Sequence, residues 1–487
     1  MLKTIALVGA LQIVGVLLFV VRVKTTAVLL GPAGVGVVSV VDQFVQLVLQ
    51  LSAVSLPFAA VKFLSRAHSR GQADFRSTYH GLLNLLIPCT LLGASVALLA
   101  VAIEPVWLDA ALGEHRTLLA LGLLAVPAMA LHGFFRNVPA AARQPRVAAL
   151  FDLVSAGVMA TAVITGVVAG GITGYFVGLL VGAVAVVVAA FGYLRVTLGL
   201  GIGRGRGVVR EQLRLHPDLI EFLLIMYLVS FTAPLSLTIA RTSILTHFGE
   251  TQAGLLHAAI AISLAVNLVL NPVNGLLLTP AMNRDIPKAE KFGAALEFQR
   301  KLVLAIGILV GPLVLFPDLV VGFLYTKEFV PVAAVLFWFV VGQVLMQIGS
   351  VFNAVMIGLD HTRAYGVTIA IGHVITAVGA WLLAPVYGLA GIGVIFFTAA
   401  LAVCVSSLVF LGVSMDFSVT WRVANTTVFL VAALLVMGWT AGRAESMSFW
   451  SFAVKSSIYL LFVCLLLPLS LHREELWGLL ARAAPAK

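Results

Sequence analysis

Apolar residues follow one another in runs of about twenty along nearly the whole chain, and charged residues or Gly and Pro end each run. An α-helix of that length spans the hydrocarbon core of a bilayer. The pattern therefore predicts an all-α polytopic membrane protein with about 14 transmembrane helices. Their approximate ranges are 5–29, 35–61, 78–102, 117–137, 147–168, 175–198, 219–245, 253–278, 302–325, 332–357, 365–383, 389–412, 423–440 and 449–469.

The composition agrees with this class. Of the 487 residues, 61% are hydrophobic and 10% are charged, whereas about a quarter of the residues of a soluble domain are charged. The formal net charge of +10 could indicate a nucleic-acid partner, but basic residues concentrated on one side of a membrane are an ordinary topology signal. We therefore predict that the chain lies in a lipid bilayer and that it has no nucleic-acid partner. Cys89, Cys404 and Cys464 lie in apolar runs without disulfide or metal spacing.

Lysines and arginines predict the orientation of the helices. They concentrate in alternate loops, which the positive-inside rule assigns to the cytoplasm, while the other loops carry few charges. The N-terminal apolar run follows only Lys3 and lacks an Ala-x-Ala cleavage site, so it predicts a retained first helix. With an even number of helices, both termini are expected in the cytoplasm. The basic loop residues are Lys62, Arg66, Arg70, Arg76, Arg136, Arg143, Arg146, Arg195, Arg204, Arg206, Arg210, Arg214, Arg284, Lys288, Lys291, Arg300 and Lys301.

A Gly- and Arg-rich stretch without apolar periodicity divides the chain near its middle. This stretch, residues 199–218, predicts a basic cytoplasmic linker. It separates an N-terminal lobe of helices one to six, residues 1–198, from a C-terminal lobe of helices seven to twelve, residues 219–413. Residues 414–487 then hold helices thirteen and fourteen and a cytoplasmic tail.

The two lobes share short sequence motifs in the same order. The segment from His132 pairs with that from Ile348, which matches Gly133 with Gly349 and Asn137 with Asn353. GGITGYFVG, from Gly170, resembles YGLAGIGVI, from Tyr387. Because each lobe contains an even number of helices, the lobes enter the membrane from the same side. We therefore predict two parallel six-helix pseudo-repeats with a site between them.

Each predicted lobe also places cations near the end of its first helix. Arg22 and Lys24 precede the turn LLGPAGVG, and Arg241 precedes the related stretch HFGETQAGL. A charged side chain at membrane depth costs a few kcal/mol, so such residues usually have a function. The two positions predict one central site for an anionic cargo. Arg22 and Lys24 point about 200° apart on a helix, so only one of them faces that site directly, and Arg22 is the better candidate.

Polar stripes follow both of these turns. A polar stripe in a membrane helix faces either a cavity or the polar groups of a neighbouring helix, because lipid offers no hydrogen-bond partner. We interpret the stripes as cavity-lining and substrate-binding, with helix–helix hydrogen bonding as the alternative. The first stripe contains Ser39, Asp42, Gln43, Gln46 and Gln50, and the second contains His257, Ser263, Asn267, Asn271 and Asn274.

Asp42 is a lone carboxylate in an apolar helix. Burial would favour its protonated form, and a nearby Arg22 or Arg241 would favour the charged form. Two roles remain open for it: an ion-coupling group, or a fixed partner of one of the arginines. The sequence contains no P-loop, dinucleotide, zinc or Ser-His-Asp motif, so no enzyme activity, cofactor or metal site is predicted. Any energy for transport must then come from an ion gradient, the membrane potential or the gradient of the cargo.

The turn LLGPAGVG after a basic first helix, its recurrence as HFGETQAGL, and the plan of six, six and two helices resemble a known family. This family is the polysaccharide-transporter branch of the multidrug/oligosaccharidyl-lipid/polysaccharide (MOP) exporters, and within it the O-antigen (Wzx-type) flippases. The resemblance covers helices one to twelve and is most specific at residues 30–36 and 241–254. Only some members carry two further helices, whose role in this chain the resemblance leaves open.

The resemblance implies a two-lobed, V-shaped transporter with a cationic central cavity in the bacterial inner membrane. Its implied cargo is undecaprenyl-pyrophosphate-linked oligosaccharide, moved from the cytoplasmic to the periplasmic leaflet, and its implied partners are a polysaccharide polymerase and a chain-length regulator. Arginine suits bidentate contacts with phosphate. Two alternatives stay open: an ion-coupled drug exporter of the same superfamily, against which the arginines argue, and a polysaccharide polymerase or ligase, for which the predicted outward loops are short.

Overall fold

The computed structural model describes residues 2–103, 113–142, 144–201, 219–273, 286–443 and 449–471, together with the single positions 214, 278 and 282. Regular structure in these residues is helical throughout. Ten of the helices are long and apolar enough to cross a membrane. Because lipid offers no partner for backbone polar groups, helices that satisfy their own hydrogen bonds are the expected structure. The chain is an all-α polytopic membrane protein.

The chain forms two compact units. The first unit contains residues 1–257 with two short additions, 324–326 and 380–388. The core of this unit is formed by large buried side chains such as Phe63, Tyr79, Phe134 and Phe176. Its helices are α1 (Leu2–Ala53), α2 (Leu56–Arg70), α3 (Gln72–Ala102), α4 (Arg116–Leu124), α5 (Val126–Ala141), α6 (Pro145–Leu198) and the larger part of α7 (Leu219–Val273).

The second unit begins within α7 and contains residues 258–323, 327–379 and 389–487. Small residues let its helices approach closely, since a Cβ at Gly307 or Gly438 would overlap the ring or methyl atoms of a neighbouring helix. Its helices are α8 (Lys288–Leu315), α9 (Pro317–Leu324), a 3₁₀ turn (Lys327–Val332), α10 (Ala333–Gly358), α11 (Thr362–Met415, in part), α12 (Trp421–Arg443) and α13 (Phe449–Ser470).

Glycines interrupt the four longest helices. The backbone leaves helical geometry at Gly31 in α1, at Gly170 and Gly171 in α6, at Gly249 in α7 and at Gly388 in α11. Each interruption falls between two predicted transmembrane helices, so these four predicted boundaries are confirmed. Ten membrane-length helices, four of them interrupted, correspond to fourteen segments among the described residues, and the count of fourteen membrane crossings stays a prediction.

The interrupting glycines have matching backbone angles in the two halves of the chain. Gly31 has φ 64° and ψ −178°, and Gly249 has φ 81° and ψ 178°. Gly171 has φ 56° and ψ −133°, and Gly388 has φ 55° and ψ −136°. Only glycine adopts such angles without strain. The pairs are those that the sequence motifs predicted, so the backbone supports the internal repeat.

Some element boundaries differ from the prediction. The second predicted helix, residues 35–61, ends early because Val54 and Ser55 both have positive φ, and α2 starts after them. The predicted helix 302–325 is instead α8 and the short α9, which Phe316 separates. The paired residues Asn137 and Asn353 both hydrogen-bond to another helix, through Pro57 O at 2.8 Å and Ser407 Oγ at 3.0 Å respectively.

Candidate functional site

Polar contacts join the second half of α1 to the first half of α7 within the first unit. The Arg241 guanidinium donates from Nη1 to the carbonyl oxygen of Ser39 at 2.6 Å. The Gln43 amide donates to the carbonyl oxygen of Pro234 at 3.3 Å, and just beyond the end of α1 the hydroxyl of Ser55 lies 2.7 Å from that of Ser230. The stripe that the sequence predicted on α1 therefore faces α7 with at least part of its length.

The two glycine-containing turns meet at one end of this contact. A Cβ at Gly36 would overlap the carbonyl oxygen of Glu250, and a Cβ at Gly254 would overlap that of Pro32. Gly36 follows Gly31 by five residues and Gly254 follows Gly249 by five, so the contact is reciprocal in the repeat. The backbones of the two repeats can pack this closely because neither position carries a side chain.

A charged cluster lies along the same contact. The carboxylate of Asp42 interacts electrostatically with the guanidinium groups of Arg241 and Arg22. The same two arginines act on His257, and together with Asp42 they act on Tyr175. Arg241 is 6% exposed, whereas Arg22 and Asp42 are half-buried. Two arginines and one carboxylate leave this cluster with an excess of positive charge.

Three polar atoms around Arg241 are buried without a protein partner in the described part of the chain. They are Arg241 Nε, Thr242 Oγ1 and His257 Nδ1. A buried polar atom left without a hydrogen bond costs about 1–3 kcal/mol, so a water molecule or a ligand is expected to satisfy these atoms. The Ser39 carbonyl fixes Nη1 of the guanidinium, and the Nε–H remains for a bound group. An anion with several oxygens, such as a phosphate, satisfies donors of this kind.

The remaining predicted site residues on α1 are Lys24, Gln46 and Gln50. Lys24 is half-buried on α1, about two turns before the Gly31 interruption. Gln46 and Gln50 are half-buried on α1 beyond Gln43. Their roles in substrate binding stay predictions.

In the second unit, the predicted residue Asn267 hydrogen-bonds to α10. Its side-chain oxygen accepts from Gln343 Nε2 at 2.7 Å and from Gln347 Nε2 at 2.5 Å. This geometry matches helix–helix hydrogen bonding, the alternative considered for the stripe. Asn271 belongs to α7, but its side chain lies outside the described residues, and Asn274 lies outside them entirely.

Two tyrosines next to the cluster were not predicted from the sequence. Tyr175 follows the Gly171 interruption on α6, and Tyr325 belongs to the short addition 324–326 of the first unit. The Arg241 charge acts on both phenols. Burial raises the pKa of the Tyr325 phenol, although the Arg241 charge opposes this shift. The only signal for Tyr175 in the sequence is its place four residues after a predicted helix break.

Comparison with solved structures shows the fold. The chain superposes on the lipid II flippase MurJ in an inward closed conformation with a TM-score of 0.65, 11% identity, and 96% of this chain and 98% of that chain covered. It superposes on an outward-facing multidrug resistance MATE family transporter of the MOP superfamily with a TM-score of 0.61, 12% identity, and 85% and 96% covered. The chain shares the fold of these two proteins.

An inward-facing multidrug resistance MATE family transporter matches with a TM-score of 0.60 and 14% identity over 84% of this chain and 96% of that chain. No protein-family model matches the sequence, and no curated protein sequence matches it. At these identities the similarity shows the architecture alone. The cargo must therefore be argued from the site.

Proposed function

We propose that the protein is a flippase that moves an undecaprenyl-pyrophosphate-linked oligosaccharide, an O-antigen or related polysaccharide repeat unit, from the cytoplasmic to the periplasmic leaflet. The fold supports a membrane transporter of the MOP superfamily, whose solved members include a lipid II flippase and multidrug transporters. The charge of the site favours the anionic, lipid-linked cargo.

The observation that carries this proposal is the state of Arg241. Arg241 is 6% exposed, its Nη1 donates to the Ser39 carbonyl, and its buried Nε–H has no protein partner among the described residues. Burying a cation costs several kcal/mol, which a structural role alone would normally offset with a close carboxylate. Asp42 acts on it electrostatically, but Arg22 adds a second positive charge to the same cluster. A pyrophosphate would balance both arginines and use their remaining donors.

The proposed mechanism is alternating access. Helices one to six rock against helices seven to twelve, so that the site opens to one leaflet and then to the other. Gln43, Gln46, Gln50, His257, Asn267, Asn271 and Asn274 are proposed to contact the sugars. Arg22, Lys24 and Arg241 are proposed to contact the pyrophosphate, and Asp42 is proposed as the ion-coupling group.

The location and partners follow from this function. We propose the bacterial inner membrane, with both termini in the cytoplasm because the basic loops are on that side. A polysaccharide polymerase and a chain-length regulator are the proposed protein partners, since flipped repeat units must be polymerised.

A drug exporter is the second candidate, because several solved structures with this fold are multidrug transporters. Such a protein would bind cationic drugs and would favour a site with excess carboxylate. The cluster around Arg241 has the opposite balance, so this candidate is the weaker one.

The test is complementation of a strain that lacks the gene, with display of surface polysaccharide as the readout. Arg241→Ala should stop display while the protein remains abundant in the membrane. Arg241→Lys should restore display only in part, because lysine keeps the charge and loses the planar fork. Arg195→Ala is the matched control, since Arg195 is exposed at the end of α6. Full display by both Arg22→Ala and Arg241→Ala would contradict the proposed site.

A further inference from the structure

Tyr175 occupies a fixed position beside the charged cluster. It stands four residues after Gly171, where α6 turns back on itself. A Cβ at Gly174 would overlap the carbonyl oxygen of Gly166, and a Cβ at Gly166 would overlap that of Gly174, so the two halves of α6 pack at backbone distance. This packing holds the first turns after the interruption, and with them Tyr175.

The neighbouring residue shows which way Tyr175 faces. Phe176 is fully buried and packs near Gly122 of α4, and the rings of Tyr175 and Phe176 meet edge to face at 5.2 Å. Successive residues on a helix point about 100° apart, so Tyr175 points away from the direction of Phe176 and packs, partly buried, at the edge of the core. It is half-buried, and the charges that act on it belong to Asp42, Arg22 and Arg241. Ile172, three positions before Tyr175 and on the same side of α6, lies 3.6 Å from a Cβ placed at Gly34 of α1. Tyr175 therefore lies against α1, beside the charged cluster.

The chemistry of this position differs from that of the arginines. A phenol offers a large apolar face and one hydroxyl, which suits the C–H face and the hydroxyls of a sugar ring. A pyrophosphate held by Arg241 and Arg22 would place its attached sugar next to the cations. An aromatic face beside a phosphate-binding group is thus suited to the sugar that is bonded directly to the pyrophosphate.

We infer that Tyr175 is a specificity-determining residue whose ring packs against the first sugar of the lipid-linked cargo. The inference rests on the proposed function, because it requires a pyrophosphate at Arg241. In addition, it assigns to the Tyr175 ring the contact by which the protein distinguishes a glycosylated lipid from the bare lipid pyrophosphate.

The experiment compares two ligands on the full-length protein in nanodiscs. One is undecaprenyl pyrophosphate, and the other is undecaprenyl pyrophosphate that carries a single N-acetylhexosamine. Wild type should bind the glycosylated lipid about tenfold more tightly, since one aromatic contact corresponds to roughly a factor of ten in affinity. Tyr175→Ala should remove this preference and change the affinity for the bare lipid by less than about twofold.

Two further variants separate the ring from the hydroxyl and from loss of folding. Tyr175→Phe should keep the preference because it keeps the ring. Tyr175→Leu should lose the preference because it keeps bulk without an aromatic face. The inference is overturned if Tyr175→Ala and Tyr175→Leu keep the preference, or if Tyr175→Phe loses it.

Controls distinguish this result from a failure of the proposed function. Tyr193→Ala changes the same residue type on the same helix, 18 positions or about 27 Å further along, and should leave both affinities unchanged. Arg241→Gln should weaken the binding of both lipids equally. If Arg241→Gln weakens the binding of neither lipid, the proposed function fails. If it weakens the binding of both lipids while Tyr175→Ala keeps the preference for the glycosylated lipid, only the inference about Tyr175 fails.

Discussion

Gly36 and Gly254 make reciprocal contacts: Gly36 packs against the carbonyl oxygen of Glu250, and Gly254 packs against the carbonyl oxygen of Pro32. Both carbonyls belong to the residue directly after an interrupting glycine, Pro32 after Gly31 and Glu250 after Gly249. The contact is therefore symmetric in the internal repeat. It brings the two repeats together near the charged cluster, because Arg241 bonds to Ser39 one turn beyond Gly36.

Alanine at either of these two glycines should destabilise the protein by a similar amount. A methyl group at Gly36 or Gly254 overlaps backbone, which cannot move aside as a side chain can. Overpacking of this kind costs about 1–3 kcal/mol. Thermal unfolding in detergent should show a lower midpoint for Gly36→Ala and for Gly254→Ala. Gly192→Ala is the control, since nothing lies within 4 Å of a Cβ there. Unchanged midpoints for both variants would show that the contact does not form.

The interrupting glycines should be sensitive to substitution through backbone strain alone. A Cβ at Gly171 meets nothing within 4 Å, but its φ of 56° is unfavourable for alanine by about 1–2 kcal/mol or more. Gly170 also has open space around it, and its φ is −150°. We expect a lower unfolding midpoint for Gly171→Ala than for Gly170→Ala. Equal unfolding midpoints for the two variants would argue against a left-handed backbone conformation at Gly171.

These breaks illustrate what the sequence could predict. Membrane-length apolar runs and Gly-containing turns are local features, so the helical class, the four interruptions and the paired motifs followed from them. The intramembrane cations were visible for the same reason. The contact of Gly36 with Glu250 joins positions more than two hundred residues apart, and local pattern contains no information on which helices cross.

The rest of the site was hidden for the same reason. The partner of Arg241 is a backbone carbonyl, which every residue possesses, so the bond to Ser39 leaves no trace in side-chain chemistry. Asn267 was predicted as cavity-lining, with helix–helix hydrogen bonding as the alternative. Its partners Gln343 and Gln347 lie on a helix whose packing the stripe could not specify. Tyr175 joins the cluster only because α6 turns at Gly171.

The topology prediction concerns the basic linker, most of which lies outside the described residues. A cysteine that replaces Arg206 should not react with a membrane-impermeant thiol reagent added to intact cells, because the linker is expected in the cytoplasm. The same cysteine should react after the cells are permeabilised. Labelling in intact cells would show that the linker faces outward and that the predicted orientation of the helices is wrong.

Asp42 is expected to couple transport to a gradient. The structure places it in electrostatic contact with both arginines, which fits a coupling group and a fixed partner alike. Asp42→Asn should abolish gradient-driven flipping in proteoliposomes and leave binding of the lipid-linked sugar largely intact. Transport at the wild-type rate that still responds to an imposed pH or sodium gradient would make Asp42 a structural partner of the arginines.

We propose that an anionic, lipid-linked sugar is moved through the site at Arg241. A flipping assay in proteoliposomes tests this proposal directly, with undecaprenyl-pyrophosphate-linked oligosaccharide in one leaflet and a sugar-modifying enzyme outside. Wild-type protein should make the cargo accessible to the enzyme. Arg241→Gln should slow this at least about tenfold through loss of charge-assisted bonds of about 1.5–3 kcal/mol, and Arg195→Gln should not. Wild-type protein that leaves this lipid in place and instead exports a cationic drug would contradict the proposed function.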